Sequence, residues 1–440
     1  MIKNKFRNYN KCIEYLFGLE RAGIKYDLKN IALLLKYLNI PEKKFKSIHI
    51  AGTNGKGSVS SILNSVLNEK GFKTGLYTSP HIKDFRERIL VNGKYISKKF
   101  IIDFTNKLHD EIERIKPSFF EVTTAMAFEY FSNRKVDYAV VETGLGGRLD
   151  STNVLIPVVS VITSICIDHV EFLGKTIKKI SAEKAGIIKK NIPIVSGNVT
   201  AESEKIFRKT AKEKNSEIIF AEDNYRIDIK KKTERGFIFN AEGNGKNYRN
   251  FYFPVIGDYQ KHNIKTSLTA LDIFCEKENI VIEENEIHNG LKNVKQNSNF
   301  HGRFELISEK PKIVIDVSHN LQGIENIPQN LKFFNYKALI IIFAMMNDKQ
   351  YKESISELLK LKTKKIIFTK PDYKRSAEPD TLLNSVKGNE SKIEARSTVK
   401  EAFEYAISLS NTNDLILVSG SFFLVSDLLK LKEFKHRKVI

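Results

Sequence analysis

The stretch Ala51-Gly52-Thr53-Asn54-Gly55-Lys56-Gly57-Ser58 combines an amine, hydroxyls and closely spaced glycines. That combination suits a chain of phosphates. Glycines let the backbone fold tightly, so that its N–H groups and a following helix N-terminus face phosphate oxygens. Lys56 can reach the outer phosphates and Ser58 a magnesium ion, although Gly57 stands where a hydroxyl residue ordinarily follows the lysine. Further polar groups recur downstream: Ser79 in Thr78-Ser79-Pro80-His81, Glu142 in Val141-Glu142-Thr143-Gly144, His169 after Asp168, and Lys184 in Glu183-Lys184-Ala185-Gly186. A single His or Glu is usually structural. Several such groups at successive strand ends beside a phosphate loop suggest a magnesium–nucleotide site, because open α/β sheets bind ligands at that edge.

The elements that must position these groups are legible in the apolar pattern. Phe45–Ile50 reads as a buried strand running into the glycine turn. Val59, Ile62, Leu63, Val66 and Leu67 then fall on one face of a helix. Gly75–Tyr77, Val136–Val141, Val158–Ile165 and Ile192–Val195 read as parallel strands with helices between them, the alternation of a doubly wound sheet. Tyr225–Val255 alternates polar and apolar residues around Gly236, Gly243 and Gly245, which predicts β-hairpins. A helix with Gln260, Asn263 and Ala270 follows. Lys292–Phe304 is polar and weakly patterned, so the domain boundary is placed there. Four more strands are expected at Ile313–Asp316, Ala338–Phe343, Lys365–Thr369 and Leu415–Val418. The fold class is α/β throughout: a phosphate-loop domain over residues 1–298 and a smaller α/β domain over 299–440.

Composition narrows the function classes. The 440 residues carry a formal charge of +20, but 57 of the 72 basic residues are lysine and they are spread along the chain. Nucleic-acid readers favour clustered arginine with aromatic or groove-reading elements, so attraction of anionic small substrates is the preferred explanation. No apolar run is long enough to span a membrane. The N-terminus lacks a signal-peptide core. Three scattered cysteines, Cys12, Cys166 and Cys275, fit free thiols in a reducing cytoplasm.

Taken in order, these motifs resemble the folylpolyglutamate synthase and dihydrofolate synthase family of the Mur ligase superfamily. The resemblance runs from about Tyr26 to Phe423. Its carriers are Gly52–Ser58 with the glycine after the lysine, Ser79-Pro80-His81, Phe120-Glu121, Glu142–Asn153, Asp168-His169, Glu183–Gly186, Gly302-Arg303-Phe304 and Asp316–Asn320. Phe300-His301 replaces the family's Trp-Pro before Gly302. The resemblance implies a phosphate-loop Mur-ligase-like ATPase domain followed by a Rossmann-like domain. It implies ATP contacts at Thr53, Asn54, Gly55, Lys56, Gly57, Ser58, Asn263, Arg303, Asp316 and His319. Two magnesium ions are expected on Ser79, Glu142, His169 and a carbamylated Lys184, with Lys56, Glu142, His169 and Lys184 as the catalytic set. Pterin recognition is expected from Lys25, Tyr26, Asp27 and Leu28, from Ser118, Phe119, Phe120 and Glu121, and from Leu149, Asp150 and Ser151.

The implied reaction is ATP-dependent addition of L-glutamate to dihydropteroate and to folates. A carboxylate is inert toward an amine until its oxygen becomes a phosphate leaving group. Lys56 and magnesium would answer the charge problem of bringing two anions together. The competing readings are a folylpolyglutamate synthase alone, a cell-wall Mur ligase, and a basic phosphate-loop ATPase that binds nucleic acid. A cytoplasmic monomer acting on small molecules is expected, without nucleic-acid or membrane partners.

Overall fold

The computed structural model describes residues 5–22, 27–386 and 392–434. The strand β1 (Lys46–Ala51) lies centrally in an eight-stranded sheet with β2 (Thr74–Tyr77), β3 (Ile89–Val91), β4 (Lys94–Tyr95), β5 (Tyr138–Glu142), β6 (Val159–Ile162), β7 (Ile194–Ser196) and β8 (Ile218–Phe220). The order is β4-β3-β2-β5-β1-β6-β7-β8. The six strands from β2 to β8 are parallel, and β3 and β4 add an antiparallel edge. Ile48 and Ile50 on β1 pair in register with Val140 and Glu142, so the carboxylate of Glu142 ends up level with the start of the glycine turn.

Residues Tyr225–Phe253 form the expected hairpins as three antiparallel strands, β9 (Tyr225–Thr233), β10 (Gly236–Gly243) and β11 (Lys246–Phe253). The second α/β unit is a six-stranded sheet of β12 (Glu305–Glu309), β13 (Lys312–Asp316), β14 (Leu339–Phe343), β15 (Lys365–Phe368), β16 (Ile393–Ala395) and β17 (Leu415–Ser419). Its order is β12-β13-β17-β14-β15-β16, parallel except for β12. The strands absent from the sequence reading are β3, β4, β8, β12 and β16. All are five residues or shorter, too brief to show a period.

The helix after the glycine turn, Lys56–Glu69, differs from the one-faced helix expected. Every residue from Ser58 to Leu67 is buried. The sheet covers one side, and the helices Glu284–Lys292 and Val294–Ser298 cover the other. Its polar positions are used as hydrogen-bonding groups: Ser65 Oγ donates to the Gly290 carbonyl at 2.6 Å, and Asn64 Nδ2 to Ser298 Oγ at 2.9 Å. Gly290 is needed at the crossing, since a Cβ there would stand 2.5 Å from Val66 Cγ2. The polar stretch around residue 298 therefore docks onto the helix Lys56–Glu69. Ser298 Oγ donates to the Ser61 carbonyl and Asn297 Nδ2 to Glu69 Oε1.

Candidate active site

Both sheets turn the carboxyl ends of their strands toward one cavity of about 1460 Å³. The first unit contributes the loops after β1, β2, β5, β6 and β7. The second contributes residues 318–320 after β13, Met346 and Lys349 after β14, Asp372–Arg375 after β15 and Ser421–Phe423 after β17. The volume exceeds that of a pocket for one small ligand, leaving room for a nucleotide and a second molecule.

The glycine turn is held by the segment after β6. Thr53 N donates to the Ser164 carbonyl at 2.7 Å, and the hydroxyls of Thr163 and Ser164 donate to the Asn54 carbonyl at 2.6 and 3.0 Å. Gly55 has φ +87°, and a Cβ there would meet Asn263 Oδ1 at 2.4 Å. That contact places Asn263 against the turn. Lys56 Nζ donates to the Thr53 carbonyl at 3.1 Å and lies 3.9 Å from Glu142 Oε1. Glu142 Oε2 accepts from Ser79 N at 3.3 Å. Burial pushes the Glu142 carboxyl up, while Lys56 and the Ser79 N–H pull it down. His169 lines the same cavity, and burial holds its imidazole neutral with a pKa of about 3. Thr53–Ser58, Ser79, Glu142, His169, Asn263, Arg303 and His319 are thus brought together.

Lys184 lies behind the glycine turn. Its Nζ donates to the Gly52 carbonyl at 2.6 Å. Burial, and then the charge of Lys56, pull it down to about 7. Such an amine is partly unprotonated near neutral pH.

The remaining expected residues divide between the cavity wall and the structure behind it. Asp316 is buried at the end of β13, where it accepts from Phe304 N at 3.3 Å and Ser419 Oγ at 3.4 Å, and so shapes the turn that carries Arg303. Glu121 caps the Phe119–Arg134 helix by accepting from Ser118 N and Oγ, leaving Ser118, Phe119 and Phe120 on the wall. Asp27 accepts from Lys29 N, and neither it nor Leu28 reaches the wall. Lys25 and Tyr26 lie outside the described residues. Leu149, Asp150 and Ser151 line the cavity, with the Asp150 carboxylate turned to Leu145 N and Thr152 N. The sequence reading assigned no role to Phe17, Glu20, Arg88, Lys349, Tyr373, Arg375 or Phe422, all of which line it. Lys349, Tyr373 and Arg375 sit in loops after short strands, and the other four in helical turns, where position depends on the fold.

Two family models cover most of the chain: the Mur ligase middle domain over residues 50–271 and the Mur ligase glutamate ligase domain over 302–422. The dihydrofolate synthase/folylpolyglutamate synthase of Bacillus subtilis is 34% identical over 97% of this chain and 99% of its own. The chain belongs to that family. Mycobacterium tuberculosis folylpolyglutamate synthase complexed with ADP superposes with a TM-score of 0.88 at 26% identity, covering 96% of this chain and 98% of that one. Escherichia coli FolC in complex with DHPP and ADP gives 0.84 at 25% identity, covering 97% and 98%.

Both units contribute to the cavity, and polar contacts join them across it. Asn54 and Asn320 exchange amide hydrogen bonds, and Asn54 Nδ2 also donates to Gln322 Oε1 at 2.8 Å. Asp168 accepts from Lys349 and, at 3.2 Å, from Asn320 Nδ2. Burial opposes ionisation of Asp168, but the neighbouring His169 and His319 rings and the Lys349 ammonium that donates to it hold it well below the usual carboxylate range. Among the described residues no helix is long and apolar enough to cross a membrane, and no three His, Cys, Asp or Glu side chains converge as a metal site.

Proposed function

We propose that this chain joins L-glutamate to dihydropteroate and to folates at the expense of ATP, through an acyl phosphate. One arrangement carries the reading: a phosphate loop with Lys56 beside Glu142, roofed by Arg303 and His319, in a cavity that continues to the aromatic wall of Phe17, Phe119 and Phe120. The phosphate end suits ATP and the aromatic wall suits a flat ring system. We place the division of the chain at 298/299, a reading supported by the change of sheet between β11 and β12.

Residues Thr53–Ser58 would hold the phosphates, with Asn263 and Arg303 on the nucleotide. Asp316 acts from behind by fixing the Arg303 turn. Magnesium fits the residues present: Glu142 keeps a carboxylate oxygen toward Lys56 and the cavity, His169 is neutral, and Ser79 is on the wall. Such a site needs only one or two carboxylates when phosphates and water complete it, which accords with the lack of a three-ligand protein cluster. Bound there, magnesium would neutralise phosphate charge. A carbamate on Lys184, which a neutral buried amine can form, would supply a further carboxylate for a second ion. Lys56 lowers the charge barrier between the acceptor carboxylate and the γ-phosphate, and the contacts between the two units exclude water from the acyl phosphate. Dispersed lysines favour anionic small molecules over nucleic acid, and three free cysteines accord with the cytoplasm; we read the protein as a monomer.

The test is purified protein with ATP, magnesium, L-glutamate and each acceptor in turn. Glutamate incorporation and ADP release with both dihydropteroate and tetrahydrofolate are expected. Incorporation into tetrahydrofolate alone reduces the reading to folylpolyglutamate synthesis, and incorporation into neither removes it.

A further inference from the structure

Arg88 is a buried cation with no counter-ion among the described residues. It closes the Phe85–Arg88 turn where the chain enters β3, and the residue is only 8% exposed. Its Nε donates to His81 Nδ1 at 2.9 Å, and its guanidinium carbon lies 5.2 Å from the centre of the Phe119 ring. Among the described residues no carboxylate pairs with it and no acceptor meets its two terminal nitrogens. Arg86, two residues earlier, is by contrast clamped on Asp84 at 2.6 Å. Buried charges are ordinarily paired, because removing a guanidinium from water is costly. Arg88 nevertheless lines the cavity, so a ligand there is within reach of its unfilled donors.

Its position narrows what would fill them. The neighbouring wall is Ser79 and Pro80 on the phosphate side and Ser118 and Phe119 on the aromatic side. Glu142 feels the charges of Lys56, Arg303 and Arg88, so the guanidinium stands close to the phosphate centre. Glu20, also on the wall, feels Arg88 and Arg375 without forming an ion pair with either. Lys56 and Arg303 are already placed for phosphates. A planar fork at the junction of an aromatic wall and a phosphate site matches a carboxylate carried on an aromatic ring.

Resting on the function proposed above, we propose that Arg88 receives the reacting carboxylate of the acceptor, holding one oxygen and leaving the other to meet the γ-phosphate. The free oxygen forms a bond to the γ-phosphorus as the bond from that phosphorus to the ADP oxygen breaks. The glutamate amine then adds to the carbonyl carbon, phosphate departs with the electron pair of the C–O bond, and the nitrogen gives up a proton. Holding the carboxylate in place would contribute to both binding and alignment.

The experiment compares calorimetric binding of dihydropteroate and its neutral carboxamide to the full-length wild type, Arg88→Gln and Arg88→Lys, with ADP titrated as a check of folding. Wild type should bind the acid at least tenfold more tightly than the amide. Arg88→Gln should bind the two within about twofold of each other with ADP affinity unchanged, and Arg88→Lys should fall between. Wild-type protein that binds neither ligand overturns the proposed function itself. Wild type that binds both equally, or Arg88→Gln that keeps the full preference for the acid, overturns the role of Arg88 alone. Should Arg88→Gln fail to bind ADP, Arg88→Lys decides, and an undiminished preference there also overturns it.

Discussion

Lys56 and Lys184 show how one residue type serves two purposes according to its surroundings. Lys56 is on the cavity wall, tied loosely to the Thr53 carbonyl and Glu142, and free to swing toward a phosphate. Lys56→Ala is expected to leave a folded protein whose rate of ADP release falls about a hundredfold or more, as when a single preorganised electrostatic donor is lost. Turnover at the wild-type rate would separate Lys56 from the reaction. Lys184 is shut behind the turn and pulled down to about 7 chiefly by burial, so its amine can take up carbon dioxide. Lys184→Ala should lose most activity and regain part of it in acetate, whose carboxylate can occupy the vacated space. Full activity without acetate would make Lys184 an ordinary structural lysine.

Among the elements, β1 does more than launch the phosphate loop. His49 on β1 is fully buried, and its Nε2 lies 2.8 Å from Thr152 Oγ1. Thr152 in turn donates to Asp150, whose other oxygen accepts from Leu145 N. The wall formed by residues 144–151 is therefore fastened to the central strand. Burial lowers the His49 pKa from 6.5 to about 3. The unfolded chain then binds a proton that the folded one refuses, so this contribution to stability is intact above pH 6.5 and is lost progressively as pH falls toward 3. Replacing His49 with Asn should reduce the slope of unfolding free energy against pH in that window by up to about 1.4 kcal/mol per unit. Urea unfolding of both proteins at several pH values between 7 and 4 measures it, and identical slopes would count against the assignment.

At the scale of the whole molecule, the cavity lies between strand-end loops of two sheets, and polar contacts join the two units across it. Asp168 from one unit takes Lys349 and Asn320 from the other, with both charged side chains almost entirely buried. Removing one member of a buried pair leaves the other uncompensated. Lys349→Met is expected to lower the unfolding free energy by about 3 kcal/mol, and Lys349→Arg by less, because arginine keeps the charge. Chemical denaturation of the full chain reads this directly. A Lys349→Met loss within about 0.5 kcal/mol, the range of an ordinary surface substitution, would show that the contact contributes no net energy.

How far the sequence reached follows from the range of each interaction. The phosphate turn, its strand and its helix are encoded locally, by glycines that permit φ values such as +87° at Gly55 and by apolar residues that reveal their period within a dozen positions. The same holds for the strands that end at Glu142 and Asp316. The order of motifs along the chain sufficed to identify the family. What local pattern could not express is which polar residues would be consumed inside the protein. Glu121, Asp150 and Asp316 occupy recognisable motif positions, yet their carboxylates accept hydrogen bonds from nearby backbone or hydroxyl groups. Arg88, in an unremarkable turn, is instead left facing the cavity with donors to spare. Burial and the approach of the second unit decide that difference, because a charge's role is set by what surrounds it in space. The sequence by itself determined the α/β elements, the glycine turn that carries Lys56, and the family. Only the tertiary structure decided which side chains face the substrate space and which are spent holding its walls.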